Sequence, residues 1–197
     1  MKKIIVIVAA AVLCSFNPAA LAQADAGVAA GFLEQAKASG DSQLGTIASE
    51  LAGKVKSLGG LLGGNAAVSD SLNSTLKSLT GGADSAALAS AFNLVKEAKF
   101  TPEQLGLAKQ VGSLTSAYVV QKNFAALEGQ QGDVATIVSS LRSGKIKNAL
   151  PSLKNVAASA KLTDTQKQLI TTIADKYAPG LNKAAGALDS VKKFPGL

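Results

Sequence analysis

Residues 78–104 read SLTGGADSAALASAFNLVKEAKFTPEQ, and residues 140–166 read SLRSGKIKNALPSLKNVAASAKLTDTQ. Aligned without a gap, the two stretches are identical at 11 of 27 positions. Roughly two identities would arise by chance in a chain of this composition. The identities are Ser78, Leu79, Gly82, Ala87, Leu88, Ser90, Asn93, Ala98, Lys99, Thr101 and Gln104. This fixed separation of 62 residues predicts an internal duplication, as in repeat proteins.

A short junction closes each stretch and recurs one period earlier. Its three copies are Ala36-Lys37-Ala38-Ser39, Ala98-Lys99-Phe100-Thr101 and Ala160-Lys161-Leu162-Thr163. In the last two copies a Gln follows the Thr by three residues, which is the capping-box pattern of a helix N-terminus. The first copy lacks this Gln, and Asp41 is an alternative cap there. The junctions predict units of about 39–100 and 101–162, with a partial unit 163–197.

Apolar residues spaced three and four apart predict helices along the chain. Leu107, Val111 and Leu114 share one helix face, for example, and no stretch alternates as a strand would. We therefore predict an all-α protein, a compact helical bundle or a short helical-repeat array, in which residues 23–197 form a single domain. The predicted helices are 26–38, 42–58, 67–79, 84–99, 102–127, 132–142, 145–160, 164–177 and 180–193.

Residues 1–22 have the three parts of an export signal. Basic Lys2 and Lys3 precede an apolar run of roughly ten residues, and Ala20-Leu21-Ala22 forms a small-x-small cleavage site. A membrane span needs ~20 apolar residues, so we expect cleavage near Gln23 and no transmembrane segment in the mature chain. Cys14 follows a leucine rather than a small residue, which fits lipid attachment poorly. The protein is therefore predicted to be exported, to the periplasm or outside the cell.

The residues that most enzymes need are missing from the predicted mature chain. It contains no His, Cys, Met or Trp, which removes the usual zinc sites, thiol nucleophiles and imidazole bases. Ser74 and Lys77 have the Ser-x-x-Lys spacing of penicillin-binding proteins, as do Ser190 and Lys193. The companion Ser-Asp-Asn and Lys-Thr-Gly motifs are absent. We predict no enzymatic activity, no catalytic residue, no cofactor and no metal.

Positive charge is concentrated in the last third of the chain. Residues 23–141 carry eight Lys against ten acidic residues, whereas residues 142–197 carry one Arg and nine Lys against three Asp. Three of these lysines recur at seven-residue spacing, near one side of the predicted helix 145–160. The candidate anion-binding patch is Arg142, Lys145, Lys147, Lys154, Lys161 and Lys167. A solvated face that keeps the protein soluble is the ordinary interpretation of such a cluster, and the one we favour.

The leading functional hypothesis is a non-enzymatic exported protein that acts by binding or scaffolding in the cell envelope or outside the cell. The sequence does not identify its partner, for which another envelope protein and an anionic surface are the candidates. One alternative is a binder of anionic envelope polymer or lipid that uses the basic C-terminal third. A second is a carrier of an apolar ligand between its helices. Nucleic acid is not expected as a partner of an exported protein.

Overall fold

The computed structural model describes residues 18–61, 66–97 and 99–177, and within these ranges the chain is helical apart from its connecting turns. The eight α-helices are α1 (Pro18–Ala38), α2 (Ser42–Leu61), α3 (Ala66–Thr80), α4 (Asp84–Glu97), α5 (Pro102–Phe124), α6 (Gln131–Arg142), α7 (Leu150–Ala157) and α8 (Asp164–Tyr177). A 3-10 turn at Ile146–Ala149 leads directly into α7. The helices pack as a compact bundle, so the predicted all-α class is confirmed.

Helix α5 lies at the centre of the bundle, and every residue from Val111 to Gln121 is buried. Helices α2, α4, α6 and α8 pack against it. α2 runs antiparallel to α5, because Gln104 at the start of α5 contacts Leu61 at the end of α2. At the other end, Gln121 of α5 contacts Asp41, just before α2 begins. A single apolar core follows from this arrangement and extends from α1 to α8.

Capping boxes begin α5 and α8, as the sequence predicts. The hydroxyl oxygens of Thr101 and Thr163 accept hydrogen bonds from the amides of Gln104 and Gln166, at 3.3 and 3.2 Å. The glutamine side-chain oxygens accept in return from the amides of the two threonines, both at 3.0 Å. Each box satisfies two backbone donors that would otherwise lack a partner.

The first junction uses a different cap. Oδ1 of Asp41 accepts hydrogen bonds from the amides of Gln43 and Leu44, at 2.8 and 3.0 Å. Ser39 instead donates its hydroxyl hydrogen bond to the carbonyl of Ala36, at the end of α1. Of the two residues considered at this junction, Asp41 is therefore the one that caps the N-terminus of α2.

The predicted single helix 145–160 is wrong, because the chain forms a 3-10 turn and then the short α7. Pro151 explains the break. Its nitrogen carries no hydrogen to donate to the carbonyl of Lys147, and its ring would clash with that carbonyl in a continuous α-helix. The amide of Leu150 donates a hydrogen bond to the carbonyl of Lys147 instead, and this bond closes the 3-10 turn.

Other predicted boundaries differ by less, except at the two ends of the chain. The predicted helix 102–127 ends at Phe124, and 26–38 begins earlier, at Pro18. α1 therefore runs through the predicted cleavage site. The predicted helix 180–193 lies outside the described residues.

The turns after α3 and α6 correspond at the 62-residue separation. These helices end at Thr80 and Arg142, and the second residue after each is a glycine with positive φ. The φ angles are 75° at Gly82 and 70° at Gly144, in a region that only glycine adopts without a steric penalty. Both helices thus stop in the same way, although the duplication itself stays a prediction.

A long-range hydrogen bond also recurs at this separation. Nε2 of Gln104 donates to the carbonyl of Leu61 at 3.0 Å, and Nε2 of Gln166 donates to the carbonyl of Asn123 at 2.6 Å. Each glutamine therefore completes its own capping box and also holds a residue 43 positions earlier in the chain. The two contacts join α5 to α2 and α8 to α5.

Candidate ligand-binding cleft

A cleft of about 650 Å³ opens where α2, α5 and the end of α6 meet. Sites for small molecules occupy roughly 300–1,000 Å³, so the cleft has the size of a ligand pocket. Its walls come from three helices and from the turn that leaves α6. The lining residues are Glu50, Lys54, Lys109, Gln110, Ser113, Leu114, Ser139, Leu141, Arg142, Ser143, Gly144 and Ile146.

Local helix geometry explains how these side chains come together. Glu50 and Lys54 are four residues apart on α2, and Lys109 and Ser113 are four apart on α5, so each pair lies on one helix face. At the end of α6, the positive φ of Gly144 reverses the chain direction. The residues that follow this glycine therefore return toward the cleft.

The floor of the cleft is mainly apolar. Leu114 and Leu141 are buried there, and Ile146 is half-buried. Ser113 adds one buried hydroxyl group, whose oxygen lies 3.5 Å from the hydroxyl of Tyr177 on α8. Burial raises the pKa of Tyr177, although hydrogen bonds to serine hydroxyls act in the opposite direction. The phenol therefore stays protonated and neutral near neutral pH.

The rim of the cleft is basic. Lys54, Lys109 and Arg142 line it together with a single carboxylate, that of Glu50. Within the described ranges, no carboxylate lies within 4.0 Å of the ammonium group of Lys54 or Lys109. Three cations against one carboxylate leave the cleft with a net positive charge.

Arg142 and Glu50 form a two-pronged ion pair across the cleft. Nε of Arg142 donates to Oε2 of Glu50 at 3.1 Å, and Nη2 donates to Oε1 at 2.5 Å. The hydrogen bonds that Arg142 donates to Glu50 raise the pKa of Arg142, and partial burial opposes this effect only in part. The pair remains accessible to solvent, with side-chain exposures of 33% for Arg142 and 38% for Glu50.

The predicted basic patch is spread over several elements. Arg142 ends α6, Lys145 lies in the next turn, Lys147 in the 3-10 turn and Lys154 on α7. Lys161 lies between α7 and α8, and Lys167 is on α8. The three lysines at seven-residue spacing therefore do not share one helix, which corrects the reasoning behind the patch.

Half of the patch is paired with acidic side chains. Besides the Arg142 pair, Lys161 lies 2.7 Å from Oε2 of Glu128, and Lys167 lies 3.4 Å from Oδ1 of Asp164. Lys145, Lys147 and Lys154 are exposed, and no carboxylate in the described part of the chain lies within ion-pair distance of them. Anion binding by the patch stays a prediction.

The sequence reasoning missed Glu50, Lys54 and Lys109. They lie on helices distant in sequence from Arg142, and Glu50 is 92 positions before it. The four-residue spacing within each helix was visible, but it indicates a shared face and not which faces meet. No local signal brings α2, α5 and α6 to one cleft.

A smaller groove of about 390 Å³ follows α3 and the turn to α4, and it is lined by Ser74 and Lys77. The hydroxyl oxygen of Ser74 is hydrogen-bonded to that of Ser90 at 3.3 Å. A serine nucleophile needs its base within hydrogen-bond reach. The described contacts of Ser74 include none with Lys77, so the geometry gives no support to Ser-Lys chemistry here.

Two searches of the described residues gave no candidates. No helix there has both the length and the hydropathy that a membrane crossing requires. No group of three or more potential metal-ligating residues occurs in the same part of the chain. Comparison of the chain with models of known families, with curated proteins and with solved structures finds no match.

Proposed function

We propose that this chain is a non-enzymatic, exported helical protein that acts by binding, and that its ligand occupies the cleft between α2, α5 and α6. The observation that carries the proposal is the cleft itself, with an apolar floor and a net basic rim. Apolar walls with a few convergent polar groups are the usual composition of a ligand site. Because the cleft is lined by helices rather than by long loops, little ordering on binding is required.

Export is supported by the composition of residues 1–22, where a basic start, an apolar run and a small-x-small site follow one another. The test is the mass of the protein recovered from the envelope and from the medium of its native cells. A mature N-terminus near Gln23 in either fraction supports export. Full-length protein confined to the cell interior contradicts it.

The ligand-binding proposal is tested on protein purified from its native cells, by native mass spectrometry before and after extraction with organic solvent. Ser139→Trp places an indole in the cleft mouth and is expected to abolish any co-purifying mass. Ala135→Trp is the matched control, because Ala135 is exposed one turn earlier on α6 and does not line the cleft. Equal retention of the mass by both variants would place the ligand elsewhere.

The non-enzymatic part of the proposal has its own test. A broad hydrolase screen of the purified mature protein is expected to show no turnover. Turnover that Ser74→Ala abolishes would overturn this part, because Ser74 with Lys77 is the pair in this chain that has the spacing of a Ser-Lys enzyme and lines a groove.

A second candidate function is binding to anionic envelope polymer or lipid through the basic C-terminal third. Lys145, Lys147 and Lys154 favour it, because they are exposed and have no acidic partner among the described residues, and each cation near an anionic surface contributes about 1 kcal/mol. Sedimentation with anionic vesicles should fall steeply as salt rises, and a triple Lys→Glu variant at these positions should bind less. The control replaces three exposed lysines in the N-terminal half, Lys37, Lys56 and Lys99. Salt-independent binding, or none, removes this candidate.

We also infer an internal duplication of about 62 residues. Three correspondences support it: the identities between residues 78–104 and 140–166, the glycine turns after α3 and α6, and the paired glutamine contacts. A capping box by itself also occurs in unrelated helices. Two hydrogen bonds that each join residues 43 positions apart, and that lie 62 residues from each other in the sequence, do not follow from helix capping. The stability of variants at the paired glutamines tests this inference.

A further inference from the structure

The charge of the cleft selects the sign of its ligand. Lys54 and Lys109 have no acidic partner in the described chain, and Glu50 balances one cation only. A neutral or cationic ligand would leave both ammonium groups of the rim without a counter-charge. An anionic headgroup supplies that counter-charge, and two lysines with one arginine suit a carboxylate or a phosphate monoester.

The floor of the cleft selects the rest of the ligand. Half-buried Ile146 presents aliphatic surface, whereas Leu114 and Leu141 are 4% and 0% exposed and line the cleft from the apolar core. The methylene stems of Lys54 and Arg142 add to the aliphatic lining. Among the described residues, no aromatic side chain lines the cleft, so a ring or a sugar would have no stacking partner there. An aliphatic chain is the complement of such a floor, since removing apolar surface from water favours binding.

Glu50 occupies the position of a competing anion. Its carboxylate holds two of the hydrogen-bond donors of Arg142, the arrangement that a bound carboxylate or phosphate would also use. Both side chains are about one-third exposed, so solvent can hydrate the Glu50 carboxylate when an incoming anion replaces it at Arg142. Glu50 thus keeps Arg142 oriented before a ligand binds, and the headgroup then replaces Glu50 as the hydrogen-bond acceptor of Arg142.

We infer that the cleft binds an acidic amphiphile. The anionic headgroup lies at Lys54, Lys109 and Arg142, and the aliphatic chain lies on the apolar floor. Glu50 competes with the headgroup for Arg142. This inference rests on the proposed function, because it names the ligand class of the same cleft. The ligand class covers both fatty acids and alkyl phosphates, which share one charge pattern and differ in headgroup.

Calorimetric titration of the mature protein with four probes tests the ligand class. The probes are decanoate, monodecyl phosphate, decanol and inorganic phosphate. At least one of the two acidic amphiphiles should bind, and the stronger identifies the headgroup. Decanol lacks the charge and inorganic phosphate lacks the chain, so each should bind about tenfold or more weakly. Equal binding by decanol or by inorganic phosphate overturns the inference.

Variants test the roles of the charged residues. Replacing Lys54 and Lys109 by Gln should weaken binding of the acidic amphiphile about tenfold, whereas Glu50→Gln should strengthen it about twofold to fivefold. Lys56→Gln, on α2 but outside the cleft, should change nothing. A Glu50→Gln variant that binds no more tightly than the native protein disproves the competitor role, provided that circular dichroism shows it folded.

Failure of this inference and failure of the proposed function give different results. If none of the four probes binds but Ser139→Trp still removes a co-purifying ligand of other chemistry, the cleft is a binding site and the acidic amphiphile is wrong. If no probe binds and the two tryptophan variants behave alike, both proposals are wrong.

Discussion

The turns that follow α3 and α6 each contain a glycine with positive φ, Gly82 and Gly144, but they produce different surfaces. After the first turn, Asp84 begins α4, and its carboxylate accepts hydrogen bonds from Nζ of Lys122 at 3.0 Å and from Nδ2 of Asn123 at 2.8 Å. These bonds join the turn to the end of α5. After the second turn the equivalent residue is Ile146, which cannot form them and lines the cleft instead.

The last residues of α3 and α6 also differ in their contacts, because Thr80 bonds within its own helix and Arg142 bonds to another helix. The hydroxyl of Thr80 donates to the carbonyl of Leu76 within α3. At the equivalent position Arg142 reaches across to Glu50 on another helix. The first turn therefore carries a polar contact to α5 and lines the smaller groove, whereas the second turn, with Arg142 and Ile146, lines the larger, charged cleft. The second turn is thus the one that contributes to the proposed ligand site.

Removing the polar contact of the first turn is expected to have the largest effect. Asp84→Ala should lower the free energy of unfolding by about 2–3 kcal/mol, because it removes an almost buried carboxylate with two hydrogen bonds, one from a charged donor. Urea denaturation measures this. Glu34→Ala, which breaks the exposed pair with Lys37, is the control and should cost less than about 0.5 kcal/mol. Equal effects of the two variants would mean that the Asp84 contact does not hold the turn.

The paired glutamines should show intermediate and similar effects. Gln104→Ala and Gln166→Ala each remove half of a capping box and one long-range hydrogen bond, so each should cost about 1–2 kcal/mol. The Gln166 contact is shorter and partly buried, and its loss should be the larger of the two. Thermal and urea unfolding measure both, with exposed Gln168→Ala as the control. A loss at only one of the two positions would argue against equivalence and hence against the duplication.

The sequence predicts well those features of the fold that depend on near neighbours. Thr101 and Gln104 lie three residues apart, so their capping box and the start of α5 follow from the sequence alone. The break at α7 was also local, since Pro151 removes one backbone donor, but the apolar spacing on both sides of it concealed the interruption.

The cleft could not be predicted in the same way. Its ion pair joins Glu50 to Arg142, and only the packing of α2 and α6 around α5 brings those side chains together. Periodicity indicates which face of a helix is polar but not which polar faces meet. A patch argued from spacing therefore included Lys154 and Lys161, and it missed Lys109.

The junction before α2 differs from the other two in its response to acid. Burial alone would raise the pKa of Asp41, but hydrogen bonds from Gln121, Leu44 and Gln43 outweigh it and lower the pKa below the ordinary 3.8. A lowered folded-state pKa means that this stabilisation is complete above the unfolded-state pKa and is lost as pH falls through the folded-state value.

The acid response is measured by comparing native protein with Asp41→Asn. The native protein should be the more stable of the two by about 0.5–1 kcal/mol at pH 6. The difference should shrink as pH falls below about 4. Thr101 and Thr163 do not titrate, so Thr163→Ser should show no such pH dependence. A constant difference between native protein and Asp41→Asn from pH 6 to pH 2 would contradict the role given to the carboxylate.

The smallest change in stability is expected for Pro151→Ala. Position 151 corresponds to Ala89 at the 62-residue separation. Pro151→Ala supplies an amide that can donate to the carbonyl of Lys147, so the 3-10 turn and α7 should merge into one α-helix like α4. The added hydrogen bond is offset by the greater freedom of the unfolded chain, and the net change should stay within about 1 kcal/mol. Amide exchange measured by NMR should slow at the neighbours of position 151, and the amide that the variant gains at position 151 should itself be protected from exchange. If the 3-10 pattern persists in the variant, Pro151 is not the cause of the break between the 3-10 turn and α7.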